Sequence, residues 1–129
     1  MYISNANMKI PTILIFDCEE AVRESLDLVL TEEGFDCVIA KNETDALQIL
    51  ASRPINIAIL DSQIVGASSF LETIKKLYPH IKIILLSSYS EFEVTQWALA
   101  VGADDYALKP LDFDELIILI KNVLPLPNK

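Results

Sequence analysis

Five polar residues, Asp17, Glu19, Asp61, Ser87 and Lys109, each follow closely on a short apolar segment. Carboxylates held together repel and raise one another's pKa unless a cation joins them. Asp17 and Asp61 are suited to share a hard divalent cation such as Mg2+, which prefers oxygen ligands and keeps several waters. A carboxylate beside such a cation can act as a nucleophile on a phosphoryl group. The cation and the Lys109 ammonium would neutralise charge on the phosphoryl oxygens in the transition state. The Ser87 hydroxyl would hydrogen-bond one of those oxygens. This chemistry requires that residues far apart in the chain meet at one edge of the fold.

The apolar pattern predicts elements that do so. Residues 10–16 form an apolar run with β-branched members, which reads as a buried strand. Over 19–33, Val22, Leu26, Val29 and Leu30 recur at helical spacing, and Gly34 closes that helix. Residues 35–40 read as a second strand. Asn42, with Asp45 three residues on, caps a helix carrying Ala46, Leu47, Ile49 and Leu50. Residues 55–60 are almost wholly apolar, as in a strand buried on both faces, and Asp61 follows. A loop over 62–68 is expected next, then a third helix with Phe70, Leu71, Ile74 and Leu77 that stops before Pro79. Residues 81–86 read as strand four, with a fourth helix over about 90–101 closing at Gly102. A short fifth strand, 105–108, precedes a fifth helix over 112–124, capped by Asp112 with Glu115 three residues later.

Five strand–helix units with short connections imply a parallel sheet with helices on both faces. The expected architecture is α/β: a doubly wound, flavodoxin-like, five-stranded parallel sheet of strand order 2-1-3-4-5. In such sheets the site lies beyond the carboxyl ends of the strands, at the switch point between strands 1 and 3. Asp17, Glu19, Asp61, Ser87 and Lys109 all fall on that edge.

Four segments resemble the motifs of two-component response-regulator receiver domains, chemotaxis regulators among them. They are Ile13-Leu14-Ile15-Phe16-Asp17-Cys18-Glu19 with Arg23 beyond, and Asn56-Ile57-Ala58-Ile59-Leu60-Asp61. The others are Leu85-Leu86-Ser87-Ser88-Tyr89 and Gly102-Ala103-Asp104-Asp105-Tyr106-Ala107-Leu108-Lys109-Pro110. The resemblance runs over residues 9–124 in order and spacing. It implies a phosphorelay signalling domain rather than a turnover enzyme. Asp61 would be the phosphoacceptor, served by a histidine kinase or phosphotransfer protein. Asp17 would belong to the acidic pocket and bind Mg2+ together with Asp61 and the backbone carbonyl of Gln63. Ser87 would be the switch hydroxyl, Tyr106 the switch aromatic and Lys109 the pocket lysine. The Lys109–Pro110 bond would be cis, a minority outcome for X–Pro bonds generally.

The chain departs from that pattern at two places. The family has two adjacent acids after strand 1, whereas here they are Asp17 and Cys18, and the spacing to Arg23 puts Cys18 at the metal-touching position. A neutral thiol is a poor, soft ligand for Mg2+. Glu19 is adjacent, but strand alternation points it elsewhere. The loop after Asp61 reads Ile64-Val65-Gly66-Ala67-Ser68-Ser69, without the family's proline. Two readings therefore stand: a phosphoacceptor with weak metal affinity, and a degenerate receiver that signals through protein contact alone.

Composition narrows the remaining choices. The 129 residues fit one domain: an N-terminal extension over 1–8, the domain over 9–124, and a tail or truncated linker over 125–129. A net charge of −9 opposes direct nucleic-acid binding, which needs clustered Lys and Arg. No apolar run approaches the ~20 residues of a membrane helix. The polar N-terminus lacks the basic start and apolar stretch of a signal peptide, so a cytoplasmic location is expected. A flavin carrier is disfavoured, because Asp17-Cys18-Glu19-Glu20 is acidic where a flavin phosphate needs hydroxyls and free N–H groups. Cys18 and Cys37 read as free thiols at opposite ends of neighbouring strands, and His80 as a lone surface residue. Trp97, Ile118 and Leu119 are apolar where the family is commonly polar. They mark the face of the fourth helix, fifth strand and fifth helix as a candidate surface for a homodimer or an effector.

Overall fold

The computed structural model describes residues 10–67, 69–88, 90 and 92–124. Residues 1–9 and 125–129 lie outside the described residues, as do Ser68 of the expected loop and Tyr89 of the third motif. The strands are β1 (Thr12–Phe16), β2 (Asp36–Ile39), β3 (Ile57–Asp61), β4 (Lys82–Ser87) and β5 (Asp105–Leu108). The helices are α1 (Glu20–Glu32), α2 (Glu43–Ser52), α3 (Ser62–Ala67), α4 (Phe70–Leu77), α5 (Phe92–Val101) and α6 (Phe113–Val123). All strand pairs are parallel, in the order β2-β1-β3-β4-β5. This is the doubly wound sheet that the sequence predicts.

The core divides by strand alternation. Leu14, Phe16, Ala58, Leu60, Ile83 and Leu85 face one layer, with Ala46 and Leu50 of α2, Phe70, Leu71 and Ile74 of α4, and Ala98 of α5. Ile13, Ile15, Ile57, Ile59, Ile84 and Leu86 face the other, with Leu26 and Leu30 of α1 and Leu116 and Ile120 of α6. The three central strands therefore need apolar residues at every position between their ends, which is why they read as unbroken runs. Phe16 and Phe70 meet edge to face, with centroids 5.3 Å apart, and seat α4 under the end of β1.

Local signals set the helix ends. Asn42 accepts a hydrogen bond from the Asp45 backbone N–H at 2.8 Å, and Asp112 accepts one from that of Glu115 at 3.1 Å. Gly34, at φ 98°, turns the chain out of α1 in a conformation that L side chains resist. The Asp104 carboxylate accepts from the Ile83 backbone N–H, pinning the start of β5 to β4.

One element differs from the sequence expectation. Residues 62–67, expected as loop, form the helix α3. The Asp61 carboxylate explains it: Oδ1 accepts from the Gln63 backbone N–H at 3.0 Å, capping the helix from the last residue of β3. The fourth and fifth helices expected from the sequence are therefore α5 and α6.

Candidate functional site

Parallel strands bring their carboxyl ends to one edge, and the register fixes which residues meet there. Asp61 ends β3 opposite Leu86, and Ser87 ends β4 opposite Leu108. Asp17 follows β1, and Lys109 follows β5. Asp17, Asp61 and Ser87 are almost wholly buried. The Lys109–Pro110 peptide is cis, and the Lys109 backbone N–H donates to the Ser87 carbonyl at 2.7 Å.

Lys109 is the charge centre. Its Nζ lies 2.8 Å from Asp17 Oδ2, 3.5 Å from Asp61 Oδ2 and 3.4 Å from Glu19 Oε1. Burial works against the ammonium, but the Asp17, Asp61 and Glu19 carboxylates outweigh it and hold Lys109 above its ordinary value. Glu19 thus reaches the site, contrary to the direction expected from strand alternation. It lies past the last residue of β1, where the pleat no longer sets side-chain direction.

Asp17 is held by three contacts. Its Oδ1 accepts from the Glu19 backbone N–H at 2.9 Å, its carbonyl accepts from Arg23 Nη1 at 2.8 Å, and its Oδ2 faces Lys109. Burial pushes its carboxyl above the ordinary value, with Lys109 and the Glu19 N–H pulling the other way.

Cys18 occupies the remaining corner. Its thiol donates to Asp61 Oδ2, with Sγ 2.9 Å away, and lies 3.6 Å from Gln63 Oε1. That hydrogen bond, followed by burial and the nearby carboxylates, pushes the thiol up to about 11. At neutral pH the sulfur is therefore a protonated donor.

Ligand atoms of Asp17, Cys18 and Asp61 lie within 4.8 Å of one another, close enough for one cation to reach all three. Asp17 Oδ2 is buried and lies 2.8 Å from Lys109 Nζ, and a carboxylate oxygen facing one ammonium keeps a second lone pair for a cation or its water. The two carboxylates thus fit a hard divalent cation, while the protonated sulfur adds nothing to its oxygen ligands. Gln63 sits in α3, where the helix's own hydrogen bonding competes for its carbonyl.

Among the other expected residues, Ser87 Oγ donates to the Ser88 carbonyl at 3.1 Å and shares a hydrogen bond with Thr95 Oγ1. Thr95 escaped the sequence reading. Its only signal is a hydroxyl at a core-facing position of α5. Tyr106 is partly exposed on β5. Trp97 on α5 and Ile118 on α6 are exposed, whereas Leu119 is half-buried and packs against the core. Helical spacing explains the difference, because Leu119 lies three residues after buried Leu116.

With this geometry established, comparison with known proteins assigns the family. The chain is 39% identical over 118 residues to an NtrX-like response regulator of Rickettsia bellii, covering 88% of this chain and 25% of that protein. The chain spans about a quarter of the length of the NtrX-like relatives it matches. It is 31% identical over 118 residues to sporulation initiation phosphotransferase F of Bacillus subtilis, covering 90% and 95%. The crystal structure of a response regulator from Thermotoga maritima matches with a TM-score of 0.81 at 27% identity, covering 88% of this chain and 97% of that one. The model of the response regulator receiver domain matches residues 13–121. The chain therefore belongs to the response regulator receiver family, whose domains are signalling modules rather than turnover enzymes.

Proposed function

We propose that this chain is a phosphoacceptor switch in a two-component phosphorelay. An Asp61 carboxylate oxygen attacks the phosphorus of a phosphohistidine on a kinase or phosphotransfer partner. The P–N bond breaks, and the imidazole leaves with the bonding pair. The product is an acyl phosphate on Asp61. The observation that carries this reading is the Lys109 ammonium, 3.5 Å from a buried Asp61 oxygen at the carboxyl edge of β3.

Each residue has a role in that step. Lys109 neutralises the phosphoryl oxygens as charge develops. Asp17 holds Lys109 and, with Asp61, supplies the oxygens for Mg2+. Once bound, that cation supplies further positive charge against the phosphoryl group. Ser87 donates its hydroxyl to a phosphoryl oxygen, and Tyr106 follows as the switch aromatic. The face formed by α5, β5 and α6, with exposed Trp97 and Ile118, is then offered to a second copy or an effector. No helix of the described residues is long and apolar enough to cross a membrane. With the charge of −9, this supports a cytoplasmic domain without direct nucleic-acid or membrane contact.

A second reading rests on one observation, the Cys18 thiol donating to Asp61. It describes a phosphorylation-independent interaction module. Mass spectrometry separates the two. With Mg2+ and a small phosphodonor, the first reading gives a base-labile gain of one phosphoryl group. The gain disappears in Asp61→Asn, whose amide oxygen can still cap α3. No gain in the wild type, with gain restored in Cys18→Asp, would establish the second reading instead.

A further inference from the structure

The bond between Ser87 and Thr95 joins the end of β4 to the middle of α5. Both residues are buried, at 1% and 3% exposure. Ser87 Oγ donates to the Ser88 carbonyl at 3.1 Å. The Ser87 and Thr95 hydroxyls share a hydrogen bond in which either oxygen can donate.

The rest of α5 makes this bond weighty. Other helices bury large side chains: Leu26 and Leu30 in α1, Phe70, Leu71 and Ile74 in α4, Leu116 and Ile120 in α6. Among the described residues of α5, only Thr95 and Ala98 are fully buried. Apolar anchoring scales with the area removed from water, so the described residues of α5, with half-buried Leu99 beside Ala98, contribute less of it than the buried residues of α1, α4 or α6. A buried hydrogen bond from Thr95 then weighs more in seating this helix than it would in those.

We propose that Thr95 is a positioning residue that makes the placement of α5 depend on what the Ser87 hydroxyl is bonded to. For its trigger the inference rests on the phosphoacceptor reading. A phosphoryl group on Asp61 draws the Ser87 proton away from the Ser88 carbonyl and turns the hydroxyl. The bond to Thr95 must then break or carry α5 with it. Trp97, two residues on and exposed, moves with the same helix.

Amide hydrogen exchange over residues 92–101 tests this. The unmodified protein is compared with Ser87→Ala, Thr95→Val, the double variant and Thr95→Ser. Thr95→Val keeps the branched shape and removes the hydroxyl. Each of Ser87→Ala and Thr95→Val is expected to speed exchange about five-fold, the scale of one net hydrogen bond. The double variant should be no faster than the faster single one, because both remove the same bond. Thr95→Ser should restore the wild-type rate. An unchanged rate in Thr95→Val, or a double variant showing the product of the two single effects, overturns the inference. A merely structural threonine would give that product. In a second arm, a phosphodonor should speed α5 exchange in wild-type molecules that carry the group. Thr95→Val molecules that carry it should show no further rise, and an equal rise in both also overturns the inference. If the wild type takes no phosphoryl group, the phosphoacceptor reading fails, while the cycle in the unmodified protein still decides the link between Ser87 and Thr95.

Discussion

The Cys18 thiol donates a hydrogen bond to the Asp61 carboxylate, with Sγ 2.9 Å from Oδ2. The residue at the position of an acid thus donates a hydrogen bond to the neighbouring carboxylate instead of adding a charge beside it. Lys109 is left between two buried carboxylates and pairs with both. The pocket is partly charge-compensated from within, and the demand for an external cation falls accordingly.

Cys18→Asp should reverse this. It restores an oxygen ligand and a negative charge at the corner now held by sulfur. Titration calorimetry should show Mg2+ affinity rising at least about ten-fold over the wild type, the scale on which changes around a metal site act. Equal affinities would mean that Cys18 does not limit cation binding.

The thiol has its own pH signature. Since the Asp61 hydrogen bond pushes Cys18 up to about 11, from an ordinary value of 9.0, little thiolate forms at neutral pH. Alkylation of Cys18, followed by peptide mapping, should therefore accelerate with an inflection near 11. Asp61→Asn should move that inflection down. An inflection at the ordinary thiol value in the wild type would remove the hydrogen bond from the account.

Stability should depend on Asp17 in a defined direction. Below its ordinary value of 3.8 the acid is protonated in both folded and unfolded chains, and burial exacts no penalty. As pH rises through the raised folded value, the unfolded chain ionises first and the folded state loses ground. Asp17→Asn cannot ionise, so urea denaturation should find it more stable than the wild type at pH 7. The difference should vanish at about pH 3. A wild type more stable than Asp17→Asn at pH 7 would show that the Lys109 pair outweighs burial.

The two faces of α6 should separate sharply. Leu116 is fully buried and Ile118 is 59% exposed. Leu116→Ala should destabilise the fold by about 3 kcal/mol in denaturant titration, through lost burial and a residual cavity. Ile118→Ala should change it by less than about 0.5 kcal/mol. Similar losses at both sites would place Ile118 against the core.

The exposed apolar face should show itself in association. Sedimentation of the wild type should reveal a concentration-dependent dimer that Trp97→Glu weakens, while folded-state stability changes little. Monomers at every concentration in both proteins would leave an effector, not a second copy, as the partner of this face.

How much of this was legible in the chain differs by element. The central strands were readable because burial on both faces demands unbroken apolar runs, as in Ile57-Ala58-Ile59-Leu60. The α2 and α6 caps were readable because Asn42 and Asp112 act over three residues. The short helix α3 was not, since its cap, Asp61, reads as a site residue and Gly66 suggests a loop. Strand order and apolar periodicity place Asp17, Asp61, Ser87 and Lys109 on one edge from the sequence alone, because parallel strands put all their carboxyl ends together. The substitution of Cys18 for an acid was likewise visible as a residue type. What Cys18 does was settled only when folding set its sulfur against Asp61, 43 residues away, since a thiol's protonation depends on its neighbours. The same holds for Glu19 reaching Lys109 and for Thr95 meeting Ser87. Periodicity determines which face a residue occupies, but tertiary packing decides which polar atom it meets there.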